Sequence, residues 1–232
     1  MRSPFLITID GPAGAGKSTV ARELARRLSF LYLDTGALYR ALALKVQREG
    51  GLASNTQALE QLCKRTRLGL IHDDAGMRVL LDGEDVTSLI RAEAISILAS
   101  NISAQAPVRE ALLSVQRRVA DQGSLVAEGR DMGTVVFPDA DVKFYLDASP
   151  EERALRRYRE LESSENGVNL DSVQQDIRKR DLQDRGRSVA PLRIAEDAHV
   201  IDCSLLTAAE VVDEMLCVIG RITGNPRSCP GD

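Results

Sequence analysis

The hydrophobic positions of this chain change period repeatedly, and each change marks an element. Residues 5–10 (FLITID) form an apolar run of strand length that ends in a glycine-rich turn. Beyond the turn, Val20, Leu24 and Leu28 recur every four residues with Ala21 and Ala25 beside them, the stripe of an amphipathic helix. Residues 32–34 predict a second strand. Leu38, Leu42 and Val46 predict a second helix, stopped by Gly50-Gly51. The period then shortens to two β-rich runs, 68–72 and 77–82, around Asp73-Asp74-Ala75-Gly76, which predicts an inserted hairpin. Helical spacing returns over 92–104 and over 108–121, the second opened by Pro107.

Strands are expected at 125–128 and 142–147. Ser149-Pro150-Glu151-Glu152 then reads as a helix start, with a serine cap, proline at the first position and a glutamate closing a capping box. That helix carries Arg153, Arg156, Arg157 and Arg159 into a polar tip at 163–169, and a second basic helix over 170–185 returns. A strand at 198–202, a helix at 208–219 and a flexible Pro-, Gly- and Ser-rich tail at 223–232 complete the chain. Five strands separated by helices specify an α/β fold, a parallel sheet covered on both faces.

Composition narrows the class. The 232 residues fit one globular domain with an insertion, and 44% hydrophobic with 28% charged residues exclude disorder. Aromatics are only 3%, so Leu, Ile, Val and Ala must build the core. A net charge of −4 offers no field that would draw the chain to nucleic acid. No apolar run approaches the ~20 residues of a membrane span, and no signal-peptide pattern opens the chain. The expectation is a cytoplasmic monomer with no membrane or nucleic-acid partner. The four cysteines show no paired or metal-ligand spacing and read as free thiols. Of the 30 basic residues only five are Lys, leaving 25 Arg, a side chain that grips phosphate oxygens bidentately.

The chemistry begins at Gly11-Pro12-Ala13-Gly14-Ala15-Gly16-Lys17-Ser18-Thr19, which matches the phosphate-loop pattern at every position, between a predicted strand and a predicted helix. Glycines allow a tight turn whose backbone N–H groups converge on phosphate oxygens. Lys17 adds a cation, Ser18 offers a hydroxyl to Mg²⁺, and the following helix presents its positive end. Asp34 is a second candidate metal residue. The chain is therefore expected to bind a nucleoside triphosphate. A GTPase switch is excluded, because Asp73–Gly76 sits in the hairpin turn and no Asn-Lys-x-Asp run exists. Glu128-Gly129-Arg130-Asp131 follows the strand at 125–128 and, with an arginine in its middle, suits a second ligand better than a water-splitting metal site. Arg40, Arg109 and Arg130 come from three segments read as lying beside strand ends, where α/β sheets bind ligands, and are candidates to grip an acceptor phosphate.

Asp34-Thr35-Gly36-Ala37-Leu38-Tyr39-Arg40, the GRDMGTVVFPDA stretch from Gly129, and Lys179-Arg180-Asp181…Asp184-Arg185-Gly186-Arg187…Ala190-Pro191-Leu192 together resemble bacterial-type cytidylate kinases, over roughly residues 5 to 220. The resemblance implies a P-loop three-layer kinase that moves the ATP γ-phosphate to CMP and dCMP with Mg²⁺. It divides residues 1–222 into a core (1–36, 106–150, 188–222), a monophosphate-binding region with the β insertion (37–105) and a lid (151–187). It assigns Thr35, Ser100, Arg109 and Asp131 to cytosine, and Arg180 and Asp184 to the ribose hydroxyls. An Arg with an Asp satisfies the cytosine edge and leaves uracil facing an unpaired carboxylate. Where the family often has Ser, this chain has Thr35, which keeps the hydroxyl and adds a methyl. Tyr39 reads equally as a base-packing or a structural tyrosine.

The Arg-rich helices resemble the lid of nucleoside monophosphate kinases, which brings arginines onto the transferring phosphate and excludes water. Arg156, Arg157 and Arg187 are read as functional. For Arg153 and Arg159 a solvated face with pairs such as Glu152–Arg156 is an equal reading. The alternatives are another P-loop small-acceptor kinase of the UMP or shikimate type, or a nucleotide-dependent regulatory protein.

Overall fold

The computed structural model describes residues 4–50, 55–73, 76–162 and 169–224. In chain order the elements are β1 (Leu6–Asp10), α1 (Lys17–Leu28), β2 (Leu31–Asp34), α2 (Thr35–Arg48), α3 (Thr56–Arg65), β3 (Leu68–Asp73), β4 (Gly76–Leu81) and β5 (Glu84–Asp85). Then come α4 (Glu93–Ile102), α5 (Ala106–Ala120), β6 (Leu125–Gly129), β7 (Val142–Asp147), α6 (Pro150–Glu162), α7 (Leu170–Gly186), β8 (His199–Asp202) and α8 (Ala208–Thr223). A five-stranded parallel sheet takes the order β2-β6-β1-β7-β8, and β3-β4-β5 form a separate antiparallel sheet. This is the expected α/β architecture. The chain divides into two compact units, one holding Leu31–Leu125 and the other holding Phe5–Phe30 and everything from Val126 on.

In the first unit the predicted stripe of α2 is its buried face: Leu38, Leu42 and Val46 are almost fully inaccessible. Asp34 caps that helix by accepting from the Ala37 N–H at 2.9 Å. The insertion pairs Leu68 with Leu81 and Leu70 with Val79, as a hairpin requires, and β5 adds a short third strand. Two of its turn residues, 74 and 75, lie outside the described residues. The helix α3 was not expected. It buries only Leu59, Leu62 and Cys63 under an Asn55 cap, too brief a stripe to stand out among polar neighbours.

In the second unit β1 pairs with β7 (Ile9 opposite Phe144) and β7 with β8 (Tyr145 opposite Val200). The residues of β1 are buried from Ile7 onward, Thr8 included, as a strand covered on both faces demands. Helix α8 packs on α1 and begins with a complete Thr207–Glu210 capping box. It continues four residues past its expected end, through buried Ile219 and Gly220, to Gly224 at φ 70°. The cap of α6 is a partial correction. The Ser149 hydroxyl accepts from the Glu152 N–H at 3.2 Å, but the Ser149 N–H donates to the Ser204 hydroxyl, so the box closes on one side only. The polar tip at 163–168 and the tail beyond Gly224 lie outside the described residues. Among those residues no helix is long and apolar enough to cross a membrane.

Truncating the fully buried Leu42 to Ala should cost about 2–5 kcal/mol in urea unfolding, whereas Leu205→Ala, at a residue 94% exposed, should stay within about 0.5 kcal/mol. Equal losses at the two positions would overturn this assignment of the core.

Candidate functional site

The loop between β1 and α1 takes the form its glycines permit. Gly14 and Gly16 sit at φ 77° and 85°, where other residues are strained. A Cβ at Gly11 would stand 2.1 Å from the Leu146 carbonyl oxygen, so backbone runs against backbone there. Lys17 is buried and donates from Nζ to the Pro12 carbonyl at 2.7 Å, which places its ammonium inside the curl of the loop. Ser18 follows it in the first turn of α1.

The loop's other carbonyls are held from behind. Arg153 Nη1 donates to the Ala13 carbonyl at 3.1 Å, and the Cys203 thiol lies between the Ala15 carbonyl at 3.2 Å and that of Asp147 at 2.9 Å. In a trans peptide the C=O of one residue and the N–H of the next point in opposite directions. Anchoring Ala13 and Ala15 on one side therefore turns the N–H groups of Gly14 and Gly16 to the other. The result is a nest of donors at the positive end of a helix, a site for phosphate.

Arg153 corrects the reading of its helix. It is 2% exposed, not solvated: Nε donates to the Ala148 carbonyl at 2.9 Å, and the fork engages both Asp181 oxygens at 3.0 and 2.6 Å. Sequence reasoning missed this because Arg in a basic helix resembles its neighbours; the cue was its place beside Ala154, which is fully buried. Arg156 makes no pair with Glu152 but donates to the Cys203 carbonyl at 2.5 Å and to that of Ser204 at 3.4 Å. Arg157 reaches Glu160 at 3.0 Å on an exposed face.

The Gly129–Asp131 stretch leads into a π-helical turn, Met132–Val136. The buried Asp10 carboxylate holds that turn, accepting from the Met132 N–H at 2.9 Å and the Gly133 N–H at 2.8 Å. Asp131, itself buried, stands at the head of the turn. Arg130 donates to Asp184 at 2.7 Å, and Arg187 pairs with the other oxygen of the same carboxylate. Two guanidiniums thus share one buried Asp in the last turns of α7, where Arg180 also resides.

The remaining expected residues belong to the first unit. Thr35 opens α2 and is 2% exposed. Arg40 donates to Asp34 at 2.8 Å, so that carboxylate is shared between helix cap and guanidinium. Ser100 lies on α4. Arg109 stands near the start of α5, the helix expected over 108–121, donating to the Ser103 carbonyl at 3.1 Å with its guanidinium 5.7 Å above the Tyr39 ring.

Among the described residues no group of three or more His, Cys, Asp or Glu side chains could cage a metal. A hydroxyl such as that of Ser18, completed by phosphate oxygens and water, is the donor set Mg²⁺ accepts.

Burial pushes the Asp10 carboxyl up from 3.8 to about 6; its two backbone N–H bonds and Lys17 oppose the rise, and the Asp131 charge adds to it. The folded protein therefore binds an extra proton here between roughly pH 4 and 6, and the burial penalty, full above pH 6, fades as pH falls. Measured by urea unfolding, the stability of the wild type relative to Asp10→Asn should rise by about 2 kcal/mol from pH 7.5 to 4.5. A difference that is flat with pH would mean the carboxyl titrates at its ordinary value.

Comparison with known proteins follows from this geometry. The family model for cytidylate kinase matches residues 7–221. A protein from Geobacter sulfurreducens named cytidylate kinase is 46% identical over 230 residues, covering 99% of this chain and 97% of its own. One of the same name from Carboxydothermus hydrogenoformans is 46% identical over 215 residues, covering 93% and 97%. Among solved structures, a shikimate kinase from Bacteroides thetaiotaomicron has a TM-score of 0.50 at 14% identity, covering 93% of this chain and 98% of its own. That is a likeness of fold alone.

Proposed function

Since this chain belongs to the cytidylate kinase family, we propose that its phosphate loop and arginine clusters hold ATP and CMP for direct phosphoryl transfer. The enzyme is a nucleoside monophosphate kinase that phosphorylates CMP with ATP, giving CDP and ADP. We further assign dCMP as an acceptor, Mg²⁺ as the accompanying ion, and a monomer in the cytoplasm as the working state. Functionally we divide residues 1–222 into the core 1–36, 106–150 and 188–222, the acceptor region 37–105 and the lid 151–187.

The observation that carries the acceptor half is the Arg130–Asp184–Arg187 cluster, two guanidiniums gathered on one buried carboxylate. Arg130 and Arg40 are assigned to the monophosphate. Arg180 and Asp184 take the ribose hydroxyls, the carboxylate accepting from O–H as it accepts from arginine. Asp131 accepts from the exocyclic amine of cytosine, with Thr35, Ser100 and Arg109 completing the base contacts. Uracil would turn a carbonyl toward that carboxylate and leave a buried charge facing a lone pair.

Transfer demands little covalent chemistry from the protein, because charge spreads over the oxygens of the moving phosphoryl group. The nest of residues 11–19 and Lys17 hold the donor phosphates. Mg²⁺, held by Ser18 with Asp34 as a second candidate, supplies further neutralisation when bound. Arg156, Arg157 and Arg187 are assigned to the charge that develops on the transferred group. To reach outward Arg156 releases two carbonyls and the Cys203 sulfur, and its Nη1 stands 3.9 Å from where a Gly16 Cβ would be.

A coupled ADP-release assay over a panel of acceptors tests this reading. CMP and dCMP should support turnover, with UMP at least about tenfold worse in kcat/KM, and Asp131→Ala should erode that preference chiefly through the KM of CMP. ADP release that ignores the acceptor would replace the kinase by a regulatory ATPase.

At least one of Arg156→Ala and Arg157→Ala should lose roughly 100-fold in kcat while CMP and ATP affinities by titration move less than about fivefold, and Arg159→Ala should match the wild type. Normal turnover in all three would reduce this face of α6 to surface.

A further inference from the structure

Arg153 makes contacts that no role in phosphate neutralisation requires. All three of its guanidinium nitrogens are engaged, on three different segments: the Ala148 carbonyl before α6, the Ala13 carbonyl in the phosphate loop, and both oxygens of Asp181 on α7. Its backbone is equally committed, since a Cβ on Gly14 would stand 2.8 Å from the Arg153 carbonyl oxygen. With Arg153 2% exposed and the Asp181 side chain 14% exposed, neither has the freedom of a surface ion pair.

The two ends of this contact lie at the two substrates. At one end, holding the Ala13 carbonyl fixes the direction of the Gly14 N–H, one of the donors of the phosphate nest. At the other, Asp181 lies between Arg180 and Asp184 on α7, with Asp184 three residues on and paired to Arg130. The same face of α7 carries Val173 and Ile177, which with Ala154 of α6 form a small apolar cluster. That cluster alone does not set the register of α7, because apolar contacts are non-directional. The planar Arg–carboxylate fork is what sets its register, because two parallel N–H···O bonds form in one orientation only.

We propose that Arg153, through Asp181, is a positioning residue that couples the donor loop to the acceptor-holding turns of α7, so that each nucleotide binds more tightly when the other is present. Rotation of the Ala13–Gly14 peptide moves the carbonyl on which Arg153 rests. The guanidinium follows, and α7 follows its carboxylate. By thermodynamic reciprocity, closure of α7 around the acceptor ribose returns the same bias to the loop. This rests on the proposed reading of the chain as a kinase that holds CMP beside ATP, and the test separates the two.

The experiment is calorimetric titration of CMP into the full chain, with and without a saturating non-hydrolysable ATP analogue and Mg²⁺. In the wild type the analogue should tighten CMP at least about fivefold. In Asp181→Asn, which keeps the Arg153 contact to the loop but breaks the fork, each nucleotide alone should bind within about threefold of wild type while the tightening falls below twofold. Arg153→Lys should lose the tightening to the same degree, and the double variant should lose no more than either single one. Should Asp181→Asn melt below the assay temperature, Arg153→Lys carries the same comparison. Full tightening in either variant, or none in the wild type, overturns the coupling. A wild type that binds both nucleotides cooperatively yet releases no ADP with CMP would instead overturn the kinase reading and leave the coupling standing.

Discussion

The structure turns on a requirement of the peptide bond. For a loop to present a row of N–H groups to one ligand, its carbonyls must face the other way, and buried carbonyls must be satisfied there. Ala13 and Ala15 meet that demand through Arg153 and Cys203, while the Pro12 carbonyl accepts from Lys17 within the loop itself. A lysine from within the motif, an arginine from α6 and a thiol from the end of β8 thus converge on nine residues of chain. Arg153 and Cys203 are therefore fixed in position by backbone of a distant segment. The glycines complete the arrangement by removing side chains where Leu146 and Arg153 backbone comes closest.

Carboxylates play the complementary part. Asp10 receives two N–H groups of the turn at 132–133, Asp34 receives the α2 cap and Arg40, and Asp184 receives two arginines. Each is buried and each uses both oxygens, the condition under which a buried charge is tolerable. Burial raises the pKa of Asp10, whose hydrogen-bond partners are neutral amides rather than cations.

Much of this was legible in the sequence because it is local. The phosphate loop is a contiguous motif, the stripes of α1 and α2 repeat at helical spacing, and the five strands are short apolar runs with clear ends. What escaped was either too brief or too distant. Helix α3 offers three buried side chains and no motif. The π-helical turn at 132–136 has no period of its own and exists because Asp10, 122 residues earlier, holds its N–H groups. Arg153 and Arg159 are the same letter in the same helix, and only the packing of α7 separates a buried strut from a surface residue. The capping box at Ser149 failed for a similar reason: Ser204, 55 residues on, claimed the N–H that Glu152 was expected to take.

The contact between Cys203 and the loop also has a consequence in time. The nucleotide-binding motif leaves the ribosome ahead of Cys203, whose thiol reaches its Ala15 carbonyl and which is synthesised 188 residues later. At about 5–20 residues per second, that interval is roughly 10–40 s. Throughout it the nascent chain carries the whole motif without the support that fixes its shape. Competence to capture a nucleotide is thus acquired only well after the motif that signals it has been synthesised.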